Sequence, residues 1–397
     1  MQPFAVLAYL YPMYRGLVLL LMMLCVFAGS YAQVDNRMLE REVPVQDTAD
    51  EALFFSVENR NFFRNNEYFS PLCLGYTLMG TQLQPELAWQ PGPRLRLQAG
   101  LMMQLDFGNN RLQQLSPVYT LKYAHNGISA LFGTLEGNVS HRLIEPLYHY
   151  ERYMRQPLEY GLQFKVNRER IWSDTWINWE RMQYLGSPFQ ERFSAGHHSQ
   201  IRVLARGKWM LTLPVQALVT HRGGQIDTVS MPLETLLNAA AGFQLSVRPG
   251  NWWKEFRTEN YVVLYRDLSP TPQNVYRQGS GLMLNLTAQT RHDISATLGY
   301  WKGQRYQAGR GAYLFQSVAS EYGVPGFIAR DRELYFLRLL WQRPVYRGLR
   351  FDLRFEPYYD RGLDLFEYSY ALFLSYRHDF EILNLRNRKG RNSGAGY

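Results

Sequence analysis

One run of residues, Leu349 to Asp360, limits the fold more than any other: L-R-F-D-L-R-F-E-P-Y-Y-D. Leu349, Phe351, Leu353 and Phe355 fall on one parity, and Arg350, Asp352, Arg354 and Glu356 on the other. Successive side chains of a strand point to opposite faces, so this strand has one apolar and one charged face. A soluble sandwich buries the apolar face and shows mixed polar groups outside. A transmembrane β-barrel turns apolar residues to lipid and charged ones to a wet lumen.

The same device recurs along the chain. Leu95, Leu97, Ala99, Leu101, Met103 and Leu105 share one face, while Arg94, Arg96, Gln98, Gln104 and Asp106 share the other. Mean hydropathy is −0.33, which excludes a helical membrane bundle but not a barrel, because barrel strands are only half apolar. The net charge of +9 raises nucleic acid, an anionic membrane surface or an anion path. The arginines alternate with apolar residues along strands and do not cluster, which argues against nucleic acid. There are two cysteines, Cys25 and Cys73, and no disulfide framework follows from them.

The N-terminus reads as a signal peptide over 1–32. Arg15 precedes the apolar run 16–29, and Ser30-Tyr31-Ala32 supplies small residues at the cleavage site. The run is shorter than the roughly 20 residues of a spanning helix. Residues 33–51 read as a flexible periplasmic lead-in, 52–381 as the barrel, and 382–397 as a basic, disordered tail.

Strands are expected over Ala52–Phe63, Tyr76–Trp89, Arg94–Phe107, Pro117–His125, Ile128–Glu136, Leu158–Asn167, Ile171–Glu180 and Arg192–Ala205. They continue over Lys208–Thr220, Leu233–Val247, Trp252–Arg266, Gly281–Thr290, Asp293–Tyr306, Glu333–Arg343, Leu349–Asp360 and Phe366–Phe380. Tight turns such as Pro91-Gly92-Pro93, Asn126-Gly127 and Pro249-Gly250 alternate with longer links. The long set is 108–116, 137–157, 181–191, 221–231, 267–279 and 307–332. Short periplasmic turns and long outer loops mark an outer-membrane barrel. The expected fold is all-β: an antiparallel transmembrane barrel of about 16 strands, or 14 if Ala52–Phe63 is not one of them. Trp89, Trp209, Trp252, Trp253, Trp341 and Tyr346 lie near the tight turns, where amphipathic rings form a girdle at the membrane boundary.

Several segments together resemble a known family. They are N-N-E-Y-F-S-P at 65–71 leading into G-Y-T-L-M-G at 75–80, L-E-G-N-V-S-H-R-L-I-E-P-L-Y at 135–148, and S-D-T-W-I-N-W-E at 173–180. They resemble uncharacterised outer-membrane β-barrel proteins of Bacteroidota-type bacteria. The resemblance implies location and fold, and carries no catalytic residues.

The loop 137–157 is the richest in chemistry. His141, Glu145 and His149 are spaced i, i+4, i+8 and would share a helical face suited to zinc, but Pro146 breaks such a helix. The plainer reading is a folded loop that constricts the pore, with no metal and no cofactor. Ser140 adjoins His141, with Asn138 nearby, yet neighbours on an extended segment point apart, and no G-x-S-x-G elbow is present. An enzyme is therefore not expected, and an outer-membrane lipid hydrolase ranks last.

The functional surface expected from sequence is the lumen row Arg94, Arg96, Asp106, Arg338, Arg350, Asp352, Arg354 and Glu356. An arginine excess there favours anions or acidic sugars, and Trp172, Trp176 and Tyr358 could stack on sugar rings. Cross-strand ion pairing is the plainer account of the same row. The leading reading is a porin-like channel for small anionic or sugar solutes. The alternative is a plugged barrel that binds or assembles surface polysaccharide or a protein partner. The expected surroundings are outer-membrane lipid and lipopolysaccharide. Asp47-Thr48-Ala49 and Asp227-Thr228-Val229 resemble short O-glycosylation motifs, a pattern frequent by chance.

Overall fold

The computed structural model describes residues 36–49, 51–250 and 252–384. The signal peptide and its cleavage point after Ala32 lie outside the described residues, as does the tail from 385 onward.

Sixteen antiparallel strands form one closed barrel. They are β1 (Ala52–Ser70), β2 (Cys73–Gly92), β3 (Leu95–Asp106), β4 (Gln114–His125), β5 (Ile128–Thr134), β6 (Tyr160–Asn167), β7 (Ile171–Arg181) and β8 (Arg192–Arg206). The rest are β9 (Trp209–Arg222), β10 (Glu234–Val247), β11 (Trp253–Asp267), β12 (Gln278–Thr290), β13 (Ile294–Gln304), β14 (Asp331–Tyr346), β15 (Leu349–Asp360) and β16 (Leu365–Asn384). Each strand pairs with its neighbour in sequence, and Ala52 of β1 pairs with Asn384 of β16 to close the ring. Closure gives every strand two partners, which backbone groups in hydrocarbon require. No described helix is long and apolar enough to cross a membrane; the strands make the crossing.

The two-faced pattern of β15 is realised as read. Asp352, Arg354, Glu356, Tyr358 and Asp360 are buried in the lumen, while Leu353 and Phe355 stand exposed on the outer wall. The six girdle aromatics, from Trp89 to Tyr346, are exposed near the short turns.

Most strand bounds shift by a few residues, and three differences from the sequence reading matter most. β1 continues past Phe63 to Ser70 and meets β2 through the two-residue turn Pro71-Leu72. Its lipid-side parity carries Asn59, Asn61 and Asn65, so the alternation that marks the other strands is lost. These amides are satisfied locally: Asn61 donates to Asn59 at 2.6 Å, Asn59 to Thr81 at 3.1 Å and Asn65 to Tyr370 at 3.0 Å. β16 extends beyond residue 381 to Asn384. The lead-in expected to be flexible is instead packed inside from residue 36 to 49. Leu39, Arg41 and Val43 are buried. Val43 donates its N–H to Glu136 at 2.7 Å, and Arg41 donates its own to Ser140 Oγ at 2.9 Å.

Two outer connections also turn inward. Segment 135–159 holds a 3-10 turn (Asn138–His141) and one short helix, α1 (Arg152–Arg155), and most of its side chains are buried. Segment 305–330 buries Tyr306, Leu314, Phe315 and Ser317, then reaches across the mouth to the β1–β2 turn. There Val324 donates to the Pro71 carbonyl at 2.8 Å and Leu74 to that of Tyr322 at 2.9 Å. The lumen is a packed core.

Candidate functional site: the filled lumen and its outer cleft

The lumen arginines are ion-paired, Arg64 and Arg338 to a filling segment and Arg354 and Arg96 to acids of the barrel wall. Arg64 on β1 lies between Glu151 of segment 135–159, at 2.6 Å, and Glu356 on β15, at 2.8 Å. Arg338 bonds Glu145 and faces Glu356 at 3.3 Å. Arg354 pairs with Asp352 at 2.6 Å and reaches Asn36 at 2.6 Å. Arg96 pairs with Asp379 at 2.8 Å. Removing one member of such a pair strands a buried charge, so these contacts fix where the filling segments sit.

Five of the eight residues of the expected lumen row lie buried inside the barrel, in ion pairs. Arg96, Arg338, Asp352, Arg354 and Glu356 are buried and neutralised in pairs, not lined up along a wet path. Asp106 is half-buried at the outer end of β3, where it accepts from Gln104 at 2.8 Å. Arg94 sits exposed in the β2–β3 turn, because the strand starts one residue later at Leu95. Arg350 is exposed at the periplasmic rim and donates to the Met38 carbonyl at 3.3 Å. Trp176 and Tyr358 are buried, and Trp172 packs against Arg142, so none of the three offers a free face for sugar stacking.

His141, Glu145 and His149 do not share a helical face. The turn that holds His141 ends at Arg142, in the left-handed region at φ 56°, and Pro146 follows. The three side chains part company: Glu145 goes to Arg338, His149 to Glu151, and His141 to Glu159 and Asp174. No group of three or more His, Cys, Asp or Glu set to hold a metal occurs among the described residues. Ser140 Oγ accepts from the Arg41 backbone and does not serve His141.

His141 is sealed. Its Nε2 is 2.7 Å from Glu159, its Nδ1 is 2.9 Å from Asp174, and its ring lies flat on Trp176 at 3.5 Å. Burial opposes charge on the imidazole, but the Glu159 and Asp174 carboxylates outweigh it and push the pKa up to about 9. Burial likewise works to raise Glu159, yet the His141 cation beside it holds that carboxyl at about 2. With both nitrogens engaged, His141 is a structural cation.

His149 is different. It lies at the edge of a cleft of about 1030 Å3 at the outer mouth, lined by segment 135–159, segment 305–330 and the outer ends of β2, β3 and β8. Its Nε2 stands 3.5 Å from Glu151, and no other hydrogen bond engages its ring among the described residues. Glu151 is fixed by Arg64, by Asn66 at 2.9 Å and by Tyr76. Burial pushes Glu151 up, but His149 and Arg64 override it and keep the carboxylate ionised well below its usual range. Arg152, Arg155, Arg310 and Tyr313 line the same cleft, Arg155 paired with Glu321 at 3.0 Å and Arg310 with Glu180. An imidazole braced by a carboxylate, with cations nearby, has the layout of a general base beside an anion-stabilising wall. The sequence paired His149 with His141; the signal that was missed is Glu151, two residues on.

The wall beside this cleft is low. β5 and β6 are 7 and 8 residues long, against 12 in β4 and 11 in β7, and short of the about 9–11 that span hydrocarbon. β4 pairs with β3 from Gln114 but with β5 only from Thr120, so residues 114–119 border a notch on the outer half of the barrel. Gln113, next to this edge, lines the cleft.

The closed sixteen-strand barrel, apolar outside and filled within, defines a bacterial outer-membrane β-barrel protein. Similar solved structures include the outer membrane protein OprD of Pseudomonas aeruginosa, at 7% identity and a TM-score of 0.47, covering 85% of this chain and 97% of that one. OmpT of Vibrio cholerae is similar at 10% identity and a TM-score of 0.46, covering 82% of this chain and 99% of that one. No curated protein matches the chain. The chain belongs to the family described as Lipid A 3'-O-deacylase-type, whose model matches residues 45–385. That membership overturns the expectation that the barrel is not an enzyme, because the family is named for an activity that cleaves an acyl ester.

Proposed function

We propose that the protein is an outer-membrane acyl-ester hydrolase that acts on an acylated, lipid A-type glycolipid of the outer leaflet. The observation that carries this reading is the His149–Glu151 pair in a cationic cleft beside the notch over β5 and β6. The family name supports the reaction class. A glycolipid would present its ester through the notch. His149 takes a proton from a water as the water oxygen attacks the ester carbonyl. The C–O bond to the sugar then breaks, the proton passes to the leaving alkoxide, and a fatty acid and a free hydroxyl result. Glu151 orients the ring and stabilises its charged form. Arg152, whose guanidinium bonds Tyr148 and no acid among the described residues, supplies positive charge for the oxyanion and the glycolipid phosphates, and Arg155 and Arg310 join it by exchanging Glu321 and Glu180 for the lipid.

A porin-like channel fits the molecule less well. Its lumen is filled from three directions, and the arginines meant to select anions are already paired. The test is fatty-acid release from lipid A by the folded barrel in vesicles, followed by mass spectrometry. His149→Gln is expected to lower the rate by about 10²–10⁴-fold, the usual worth of a general base. Unchanged release by that variant, or none by the wild type on any acylated lipid A, refutes the reading.

A further inference from the structure

A second group of charges lies outside the lumen and shares no residue with the cleft. Arg266 is the penultimate residue of β11, Arg277 immediately precedes β12, and Arg305 immediately follows β13. Arg266 faces Gln278 across the ladder, and the Arg277 carbonyl accepts from Asp267 N–H at 2.9 Å. Arg305 is drawn in against Gly279: a Cβ at 279 would lie 2.1 Å from the Arg305 carbonyl oxygen, so only glycine allows the approach. Three guanidinium-bearing residues therefore sit within about two ladder spacings, roughly 10 Å. All three are exposed, and with the loop 268–276 they line a cavity of about 620 Å3.

No acid answers them among the described residues. Asp267 lines the same cavity, but its carboxylate accepts from Ser269 at 2.9 Å and Asn274 at 3.0 Å and is buried. The next outward acids are taken: Asp331 by Gln304 and Arg330, and Glu333 by Arg361. Below the trio the wall is apolar, with Val262, Leu264 and Leu282 exposed on the parity of Arg266. Leu268 and Val275 are exposed at the cavity itself. The long connections face the cell exterior, so the trio stands where outer-leaflet hydrocarbon gives way to headgroups.

We propose that Arg266, Arg277 and Arg305 form a binding site for the phosphate of an outer-leaflet glycolipid such as lipopolysaccharide. Guanidinium groups match phosphate bidentately. The phosphate relieves the repulsion among three like charges, and the lipid's chains lie against Leu264, Leu268 and Val275. The site does not depend on the hydrolytic reading.

The test uses the full chain, folded in mild detergent, and native mass spectrometry to count bound lipid. The probes are lipid A with both phosphates, dephosphorylated lipid A, and inorganic phosphate alone. The wild type is expected to retain phosphorylated lipid A at least about tenfold more tightly than the dephosphorylated form, as loss of charge-assisted contacts implies. Arg266→Gln/Arg277→Gln/Arg305→Gln is expected to remove one phosphate-dependent bound lipid and weaken that preference several-fold, the cleft being unchanged in the variant. Arg277→Gln alone, in an exposed loop, weakens it less and without disturbing the sheet. Heat-modifiable gel migration confirms that each variant is folded. Equal retention by the triple variant, or of the dephosphorylated lipid, overturns the proposal. Inorganic phosphate binding as tightly as lipid A overturns it too, since the lipid would then add nothing. Fatty-acid release, scored separately, leaves these outcomes unaffected.

Discussion

Arg64 on β1 and Glu151 in segment 135–159 meet at 2.6 Å, both buried, and the pair ties the wall of the barrel to the segment that fills it. Glu356 takes the same guanidinium from the other side at 2.8 Å. Arg64→Met takes the shared cation from two buried carboxylates, leaving Glu356 only the Arg338 cation at 3.3 Å and Glu151 only His149 at 3.5 Å. A loss of about 3–5 kcal/mol is expected, read as a lower urea midpoint of the barrel in lipid vesicles. Arg64→Met/Glu151→Leu/Glu356→Met removes the stranded charges as well and is expected to recover part of that loss. A midpoint unmoved by Arg64→Met would show that the pair does not hold the segment.

The His141–Glu159 pair predicts a pH window for the filling segment. The His141 pKa is raised to about 9 from 6.5, so its contribution is complete below about pH 6.5 and is lost as pH rises through 9. The Glu159 pKa is lowered to about 2 from 4.5, so its contribution is complete above about pH 4.5 and is lost as pH falls toward 2. Amide exchange in 137–159, corrected for intrinsic rates, is expected to be slowest between these limits and to quicken above pH 9. His141→Gln should flatten the alkaline limb. If the variant keeps that limb, the rise has another source.

Filling of the lumen predicts electrical silence. Residues 36–49, 135–159 and 305–330 contribute buried side chains to one interior. In a planar bilayer the folded chain is expected to show no steady conductance. Glu145→Ala/Glu151→Ala, which unties segment 135–159 from Arg338 and Arg64, is expected to give brief openings. A steady open current from the wild type would restore the channel reading.

How much of this was legible in the sequence depends on which partner a residue has. Strands announce themselves locally, because the alternation of Leu349 to Asp360 needs only lipid on one side and a lumen on the other. Most are legible that way; β1 was expected only because an ascending strand must precede β2 in an even-numbered barrel. Its alternation fails where Asn59, Asn61 and Asn65 put amides on the lipid face, Asn61 bonding Asn59 and Asn65 bonding Tyr370. The lumen row was legible as a face but not as a set of pairs. Arg338 meets Glu145 and Arg64 meets Glu151 across separations of 193 and 87 residues, which no local pattern encodes. For the same reason the lead-in looked loose: its polar groups find their partners far along the chain, among them Glu86, Glu136, Ser140 and Arg354. The candidate base His149 was noticed for a spacing that the fold does not use.

The packing of β8 on the filling segment gives a last prediction. Gly196 pairs with Trp176 across the β7–β8 ladder, and a Cβ at 196 would lie 2.3 Å from the indole ring. His141 is stacked on that ring at 3.5 Å. A methyl group cannot be absorbed by a flexible chain end here, since the obstacle is a rigid buried ring. Gly196→Ala therefore displaces Trp176, and with it His141 and its bonds to Glu159 and Asp174. Overpacking of this kind costs about 1–3 kcal/mol. The barrel's sixteen-strand ladder is expected to survive, because the strain falls on the lumen contents. The expected signature is a folded barrel by gel migration whose segment 137–159 exchanges amides faster and is cut more readily by protease. A variant with wild-type protection there would show that Trp176 is not what positions His141.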